Sequence, residues 1–182
     1  MDLRLDAASG APGVNVFEKM ISGAYIGPLC GATLQAAAQE GLFSAPTARQ
    51  LLRLGNVSTI DVSDFLADPC GTGNPIAQAV HGAPGEDTAS LFYLIDALLE
   101  RAAKLTAINL SSTALKCGKG RHPCRPICIV AEGTTFYRLT SMRRKVEYYL
   151  KQYLVDQEGI YYEITSVDNA TLIGAAIAGL TN

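Results

Sequence analysis

Strand-forming sequence is in short supply in this chain, and that shortage limits what it can fold into. One candidate is "ICIVAEGTTFYRL" (Ile127–Leu139), an apolar run that turns at Glu132–Gly133 into a second short strand. The other is "IYYEITSV" (Ile160–Val167), which alternates as a strand does. Between them, "SMRRKVEYYLKQYL" reads as a helix with a basic first half. Strand, helix and strand in that order predict a parallel pair joined by a right-handed crossover. Two strands and one hairpin partner make a poor sheet. The chain therefore reads as the latter part of a larger, helix-rich α/β domain.

What precedes residue 115 is helical in pattern. Phe17, Met20, Ile21, Ala24, Tyr25 and Leu29 recur at helical spacing. Pro28 removes a backbone donor and crowds the carbonyl of Ala24, so a kink or break is expected at Gly23–Gly27, with a second helix from Thr33 to Glu40. Ser44 or Thr47 can cap the next helix and Gly55 end it. "VSTIDVSDFLAD" starts a further helix or irregular segment near Ser58. The Gly- and Pro-rich stretch around Ile76 reads as loop with one short helix. The longest helical pattern runs from Asp87 to about Leu115, and its leucines present a wide apolar face. "NATLIGAAIAGL" closes the chain as a small-residue helix that permits close approach to a neighbour. One domain over 1–182 is expected, mainly helical over 1–115 and strand–helix–strand–helix over 126–182.

Composition excludes several classes. With 48% hydrophobic and 18% charged residues, a sizeable core is available and disorder is not expected. A net charge of −2 gives no reason to expect a nucleic-acid partner. No apolar run is long enough to span a membrane. "MDLRLDAASG" lacks the basic and apolar regions of a signal peptide, and five cysteines argue against a closed disulfide framework. A cytoplasmic protein is the expectation, and the Asn-x-Ser/Thr sequons at Asn56, Asn109 and Asn169 read as chance matches.

"APGVNVFEKMISGAYIG" (Ala11–Gly27) departs from economical packing. It sets Glu18 and Lys19 inside an apolar run whose internal glycines cost a helix about 1 kcal/mol each. A segment built for packing alone would use leucine or alanine there.

"PGVNVFEKMISGAYIG" resembles the hexokinase signature P-G-x-Q-x-[FY]-E-K-[ML]-[IS]-[SG]-G-x-Y-[LM]-G. Phe17, Glu18, Lys19, Met20, Ile21, Ser22, Gly23, Tyr25 and Gly27 match, and Asp6 and Ser9 fit its D-x-x-S lead-in. "VSTID" (Val57–Asp61), "ERAAKLTA" (Glu100–Ala107), "VAEGTTFYRL" (Val130–Leu139) and "GAAIAGL" (Gly174–Leu180) resemble further family segments in the right order. The first motif is specific, and the others weigh as a series. The resemblance implies a C-terminal part of the actin/Hsp70/hexokinase-type, ribonuclease H-like fold, with an incomplete sheet. It further implies ATP-dependent phosphorylation of a glucose-like hexose at its 6-hydroxyl, with Mg2+. The family's catalytic aspartate, glycine-rich phosphate loop and T-G-T turn have no match here, so no catalytic residue is assigned to this chain.

Residue by residue, the resemblance makes Glu18 a sugar ligand whose two acceptor oxygens suit vicinal hydroxyls. The structural alternative is a glutamate favoured by a helix N-terminus. Asn15 stands where the family has a second sugar-binding Gln, and a capping Asn is the alternative. Gly23, Ala24, Ser58, Gly133, Thr134 and Thr135 fall on nucleotide-side positions. Ser58 reads equally as a helix cap, and "EGTT" (Glu132–Thr135) as an ordinary hairpin turn. Gly133 would supply positive φ and close approach. Alanine at 24 and tyrosine at 137 replace residues that can be lysine in the family.

Cys117, His122, Cys124 and Cys128 are of zinc-ligand type, but their spacing is not that of a standard finger, and Cys128 in an apolar strand reads as a buried free thiol. No metal is assigned. The basic loop carrying them, with Lys116, Lys119, Arg121 and Arg125, reads as a solvated connection or, less simply, an anion site. The expected partners are the hexose, ATP and the missing N-terminal part of the kinase. A chain of this kind is expected to be inactive alone. The alternative is a non-catalytic module that binds sugar or self-associates as a homodimer through an unpaired strand edge.

Overall fold

The computed structural model describes residues 2–181. Ten α-helices and two strands follow one another in the order α1 (Asp2–Ala8), α2 (Val16–Ile21), α3 (Gly23–Gln39), α4 (Ala45–Leu52), α5 (Thr59–Ala67), α6 (Pro75–Ala79), α7 (Gly85–Cys117), β1 (Ile127–Val130), α8 (Thr134–Arg138), α9 (Met142–Leu150), β2 (Tyr162–Thr165) and α10 (Ala170–Thr181). A π-helical stretch, Lys151–Gln157, prolongs α9.

α7 is the spine. Its 33 residues extend roughly 50 Å. α9 packs along it, and α2, α3 and α5 also lean on it. Leu91, Ile95, Leu99 and Ala103 are fully buried and meet Leu34, Phe65, Ile76, Val146, Leu150 and Leu154 in one core. The 3.6-residue period of the apolar positions in α7 supplies that face. Gly118 (φ 64) ends the helix in the left-handed conformation.

Three local expectations are corrected. The break in the opening segment falls at Ser22 (φ −82, ψ 150), one residue ahead of Gly23–Gly27, and α3 then runs unbroken through Pro28. Ala24 and Pro28 are both exposed, so water can take the carbonyl left without its donor. The second short strand after Gly133 is the helix α8. Phe136 and Leu139 bury at a spacing of three, which suits a helical turn. Cys128 is exposed rather than buried, because only one face of β1 is covered and Cys128 and Val130 point to the other.

β1 and β2 pair in parallel, with Ile127 opposite Tyr162 and Val130 opposite Thr165. The crossover read from the sequence is present. α10 stands almost clear of the rest, with Leu172 71% exposed. At its start, Thr171 is held by Glu132, whose Oε2 accepts from Thr171 N at 3.2 Å and from Thr171 Oγ1 at 2.8 Å.

Several carboxylates tie the helices together. Asp2 receives Arg101 bidentately at 2.7 and 2.8 Å. Asp87 is buried at the start of α7 and accepts from Ser44 N at 3.1 Å, Ser44 Oγ at 2.5 Å and Thr47 Oγ1 at 2.6 Å. Glu100 accepts from Lys145 and Tyr149 between α7 and α9. Bonding by Arg101 holds Asp2 below its usual value, and Lys145 first, then Tyr149, does so for Glu100. Burial pushes the Asp87 carboxyl up, but the hydroxyls of Ser44 and Thr47 outweigh it and the result is a lowered value. Groups lowered on folding contribute stability above the unfolded carboxylate range and lose it as pH falls through the folded values. The urea midpoint is therefore expected to fall between about pH 5 and about pH 3, and a midpoint that holds flat over that range would contradict these assignments.

Candidate functional site

The charged pair in the opening motif divides into two roles. Lys19 is 5% exposed. Its ammonium donates to Asp6 Oδ1 at 2.6 Å, Ser9 Oγ at 2.8 Å and the Ala11 carbonyl at 2.6 Å, using all three protons. Asp6 also accepts from Gly13 N at 2.8 Å. Lys19 first, with the Gly13 amide, holds the Asp6 carboxyl below its usual value. A buried ammonium with three acceptors fastens α1, the loop 9–15 and α2 into one clip. Glu18, its neighbour, faces outward, and its side chain has no hydrogen bond or ion pair among the described residues. Asn15 precedes α2 in the left-handed conformation (φ 52) and its amide makes no capping bond. The clip thus presents two unused polar side chains, Asn15 and Glu18, at the start of α2.

One turn later a cavity of about 610 Å³ opens beside the start of α3. Gly23 and Ala24 form one wall, Thr59 and Ser63 of α5 another, and Thr134, Thr135 and Arg138 of α8 a third. Asp64 lines it as well, a carboxylate beside the Arg138 cation. The walls touch at a glycine: a Cβ on Gly23 would run into the Thr135 hydroxyl. Thr59 Oγ1 donates to the Gly23 carbonyl at 2.5 Å and accepts from Gly27 N at 3.0 Å, which locks α5 to the first turn of α3. Ser22 precedes α3 without a side-chain cap, and its hydroxyl is buried with no partner among the described residues. A cation, several hydroxyls and an uncapped start of a 17-residue helix make a surface suited to an anionic, hydroxyl-bearing ligand.

A family model described as hexokinase matches residues 1–181. The chain belongs to the hexokinase family. It is 35% identical to hexokinase-1 of Rattus norvegicus over 115 residues, covering 61% of this chain and 12% of that protein. It is 42% identical to hexokinase-2 of the same organism over 71 residues, covering 38% of this chain and 8% of the relative. Among solved structures, a hexokinase from Schistosoma mansoni complexed with glucose superposes with a TM-score of 0.73 at 15% identity, over 92% of this chain and 38% of the other. The chain thus spans about an eighth of rat hexokinase-1 and well under half of the solved fold. The fold is a partial hexokinase-type fold, helix-rich and with an incomplete sheet.

Of the hexokinase-motif residues read from sequence, Gly23, Ala24, Thr134 and Thr135 come together around the cavity. Gly133, at φ 109, starts α8 beside Thr134. Ser58 is spent on a capping box: Asp61 N donates to its Oγ at 3.1 Å, and Asp61 Oδ2 accepts from Ser58 N at 2.8 Å. The next residue, Thr59, faces the cavity instead. Glu18 and Asn15 do not line it. Reading by sequence missed Thr59, Ser63, Asp64 and Arg138. Arg138 follows Tyr137, where a lysine is found in the family, and only the helical turn of α8 brings it to the cavity. Among the described residues no group of three or more His, Cys, Asp or Glu side chains is placed to hold a metal ion.

Proposed function

We propose that this chain belongs to an ATP-dependent hexose 6-kinase and supplies part of its sugar side and part of its nucleotide side. The observation that carries the reading is the meeting of Gly23 and Ala24 with Thr134, Thr135 and Arg138 around one cavity, next to a clip that leaves Glu18 and Asn15 free. Glu18 would accept hydrogen bonds from two hydroxyls of the hexose, and Asn15 would add an amide. The hexose class is supported by the glucose with which the Schistosoma mansoni hexokinase is complexed. On the nucleotide side, Arg138 and the first N–H groups of α3 would face the polyphosphate, while the hydroxyls of Thr134 and Thr135 would meet the nucleoside. Magnesium would arrive with ATP, and this chain assigns no residue to it. Phosphoryl transfer depends on positioning and charge stabilisation, and on this reading the group that takes the hydroxyl proton would come from another part of the kinase. A cytoplasmic setting goes with this chemistry.

The purified chain is expected to show no glucose-dependent ATP turnover. Glucose should shift amide resonances around Asn15–Lys19, with the shifts gone in Glu18→Ala, and ATP should shift Gly23–Ala24 and Thr134–Arg138. Turnover above the Glu18→Ala background would overturn the expectation of inactivity. Silence of both sets at saturating ligand would remove the site.

The open flanks of the β1–β2 pair among the described residues and the exposed Leu172 and Leu180 of α10 favour a second reading, a non-catalytic module that self-associates. Sedimentation decides: a homodimer at micromolar concentration supports it and a clean monomer rejects it.

A further inference from the structure

Apart from the hexose and nucleotide positions, the loop between α7 and β1 makes a second built feature. A cavity of about 550 Å³ opens there, lined by Lys119, Arg121, His122 and Arg125 together with the thiols of Cys117 and Cys128. No carboxylate side chain lines it. The loop is held rather than loose. Gly120 is buried in it at φ 79, with its carbonyl accepting from Tyr161 N at 2.8 Å. Arg121 donates to the Glu158 carbonyl. A tight turn, Arg125 N to His122 O at 2.9 Å, closes the tip. None of Lys116, Lys119, Arg121 and Arg125 forms an ion pair among the described residues; Glu163 stands opposite Cys128 in the strand pair but does not line the cavity.

The remaining cysteines supply the contrast. Cys30 is 1% exposed in the core, and burial pushes its thiol up to about 12. Cys70 is exposed beside a carboxylate, its backbone N–H donating to Asp68 Oδ1 at 3.1 Å, and no basic side chain lines the adjoining cavity of Asp61, Asp64 and Asp68. Cys124 shares the basic turn without lining the cavity. An anionic thiol reagent therefore meets attraction in the cavity that Cys117 and Cys128 line, a carboxylate beside Cys70 and no access at Cys30.

We propose that this cavity takes a small disulfide carrying carboxylates, of the glutathione disulfide class, and forms a mixed disulfide with it at Cys117 or Cys128. The carboxylates pair with Lys119, Arg121 and Arg125, bringing the reagent's sulfurs to the two thiols that line the same space. The cysteine sulfur attacks one sulfur of the reagent. The reagent's S–S bond breaks as the protein–reagent S–S bond forms. The departing thiol carries off the electron pair and the proton that cysteine gives up, so one disulfide is exchanged for another and no further oxidant is required.

The test treats the fully reduced 182-residue chain with glutathione disulfide and follows each cysteine by peptide mass mapping. Modification of Cys117 or Cys128 roughly tenfold ahead of Cys70 is expected, with the lead shrinking in high salt. Cystamine, which has the same disulfide but carries ammonium groups, should lose that lead. In Lys119→Gln/Arg125→Gln the rate with glutathione disulfide should drop severalfold while the cystamine rate holds. Equal rates at Cys70, indifference to reagent charge, an adduct at Cys124 alone, or no adduct would each overturn the proposal. The reagent-charge comparison runs on the unaltered chain, so it stands even if the double variant fails to fold. It is independent of the hexose reading.

Discussion

Gly27→Ala is expected to destabilise the chain by about 3 kcal/mol, lowering its melting temperature by roughly 6–12 °C. A Cβ at this buried position would lie 2.5 Å from both Thr59 N and Val57 O and still closer to the Ser58 carbonyl carbon. All three are backbone atoms and none can rotate away. The helix would have to retreat from the segment 57–59, breaking the Thr59 hydroxyl bridge to Gly23 O and Gly27 N. Overpacking normally costs about 1–3 kcal/mol, and the loss of the bridge puts this change at the upper end. Gly55→Ala is the control: its Cβ would meet nothing within 4 Å, and a change of under about 0.5 kcal/mol is expected. Thermal denaturation of both variants settles the point, and a Gly27→Ala melt indistinguishable from the Gly55→Ala melt would mean that α3 and α5 do not pack this closely.

Lys19→Met should separate positioning from contact. Methionine keeps the buried aliphatic length but removes three hydrogen bonds at once and leaves Asp6 facing a partner without charge. The loop 9–15 should lose its protection from amide exchange, and Asn15 and Glu18 should lose their fixed placement. A loosening of even about 1 Å in groups that must meet a ligand together is enough to cost on the order of 100-fold, so hexose affinity should fall along with the loop protection. Glu18→Ala should do the opposite: it should abolish the hexose shifts and leave the loop as ordered as before, because the Glu18 side chain has no partner among the described residues. Unchanged exchange rates at residues 9–15 in Lys19→Met would show that the ammonium is not what holds the clip.

Much of the helical framework was legible in the order of residues. The apolar period of Leu91, Ile95 and Leu99 marked α7, and Ser58 was legible as a candidate helix cap, whereas its reciprocal bond with Asp61 came only from the structure. The parallel pairing of β1 with β2 followed from a strand, a helix and a strand in sequence. Misreadings cluster where local preference competed with packing. Pro28 argued for a break in α3, yet the close seat of Gly27 against Val57–Thr59 keeps the helix continuous and moves the break to Ser22. Thr134, Phe136 and Tyr137 have strand propensity, yet burial of Leu139 beside α9 favours a helical turn.

The sequence motif was sufficient to announce the family, since glycine and charge at such positions serve no ordinary helix. It could not say which of two adjacent charges is structural. Both Glu18 and Lys19 interrupt an apolar run, and the distinction rests on where Asp6, Ser9 and the Ala11 carbonyl lie in space. Nor could it show that Gly23 abuts Thr135, or that Arg138 rather than residue 137 turns to the same cavity. Periodicity and propensity act over a few residues, whereas desolvation and close contact depend on neighbours brought from far along the chain. Only the folded arrangement settles those.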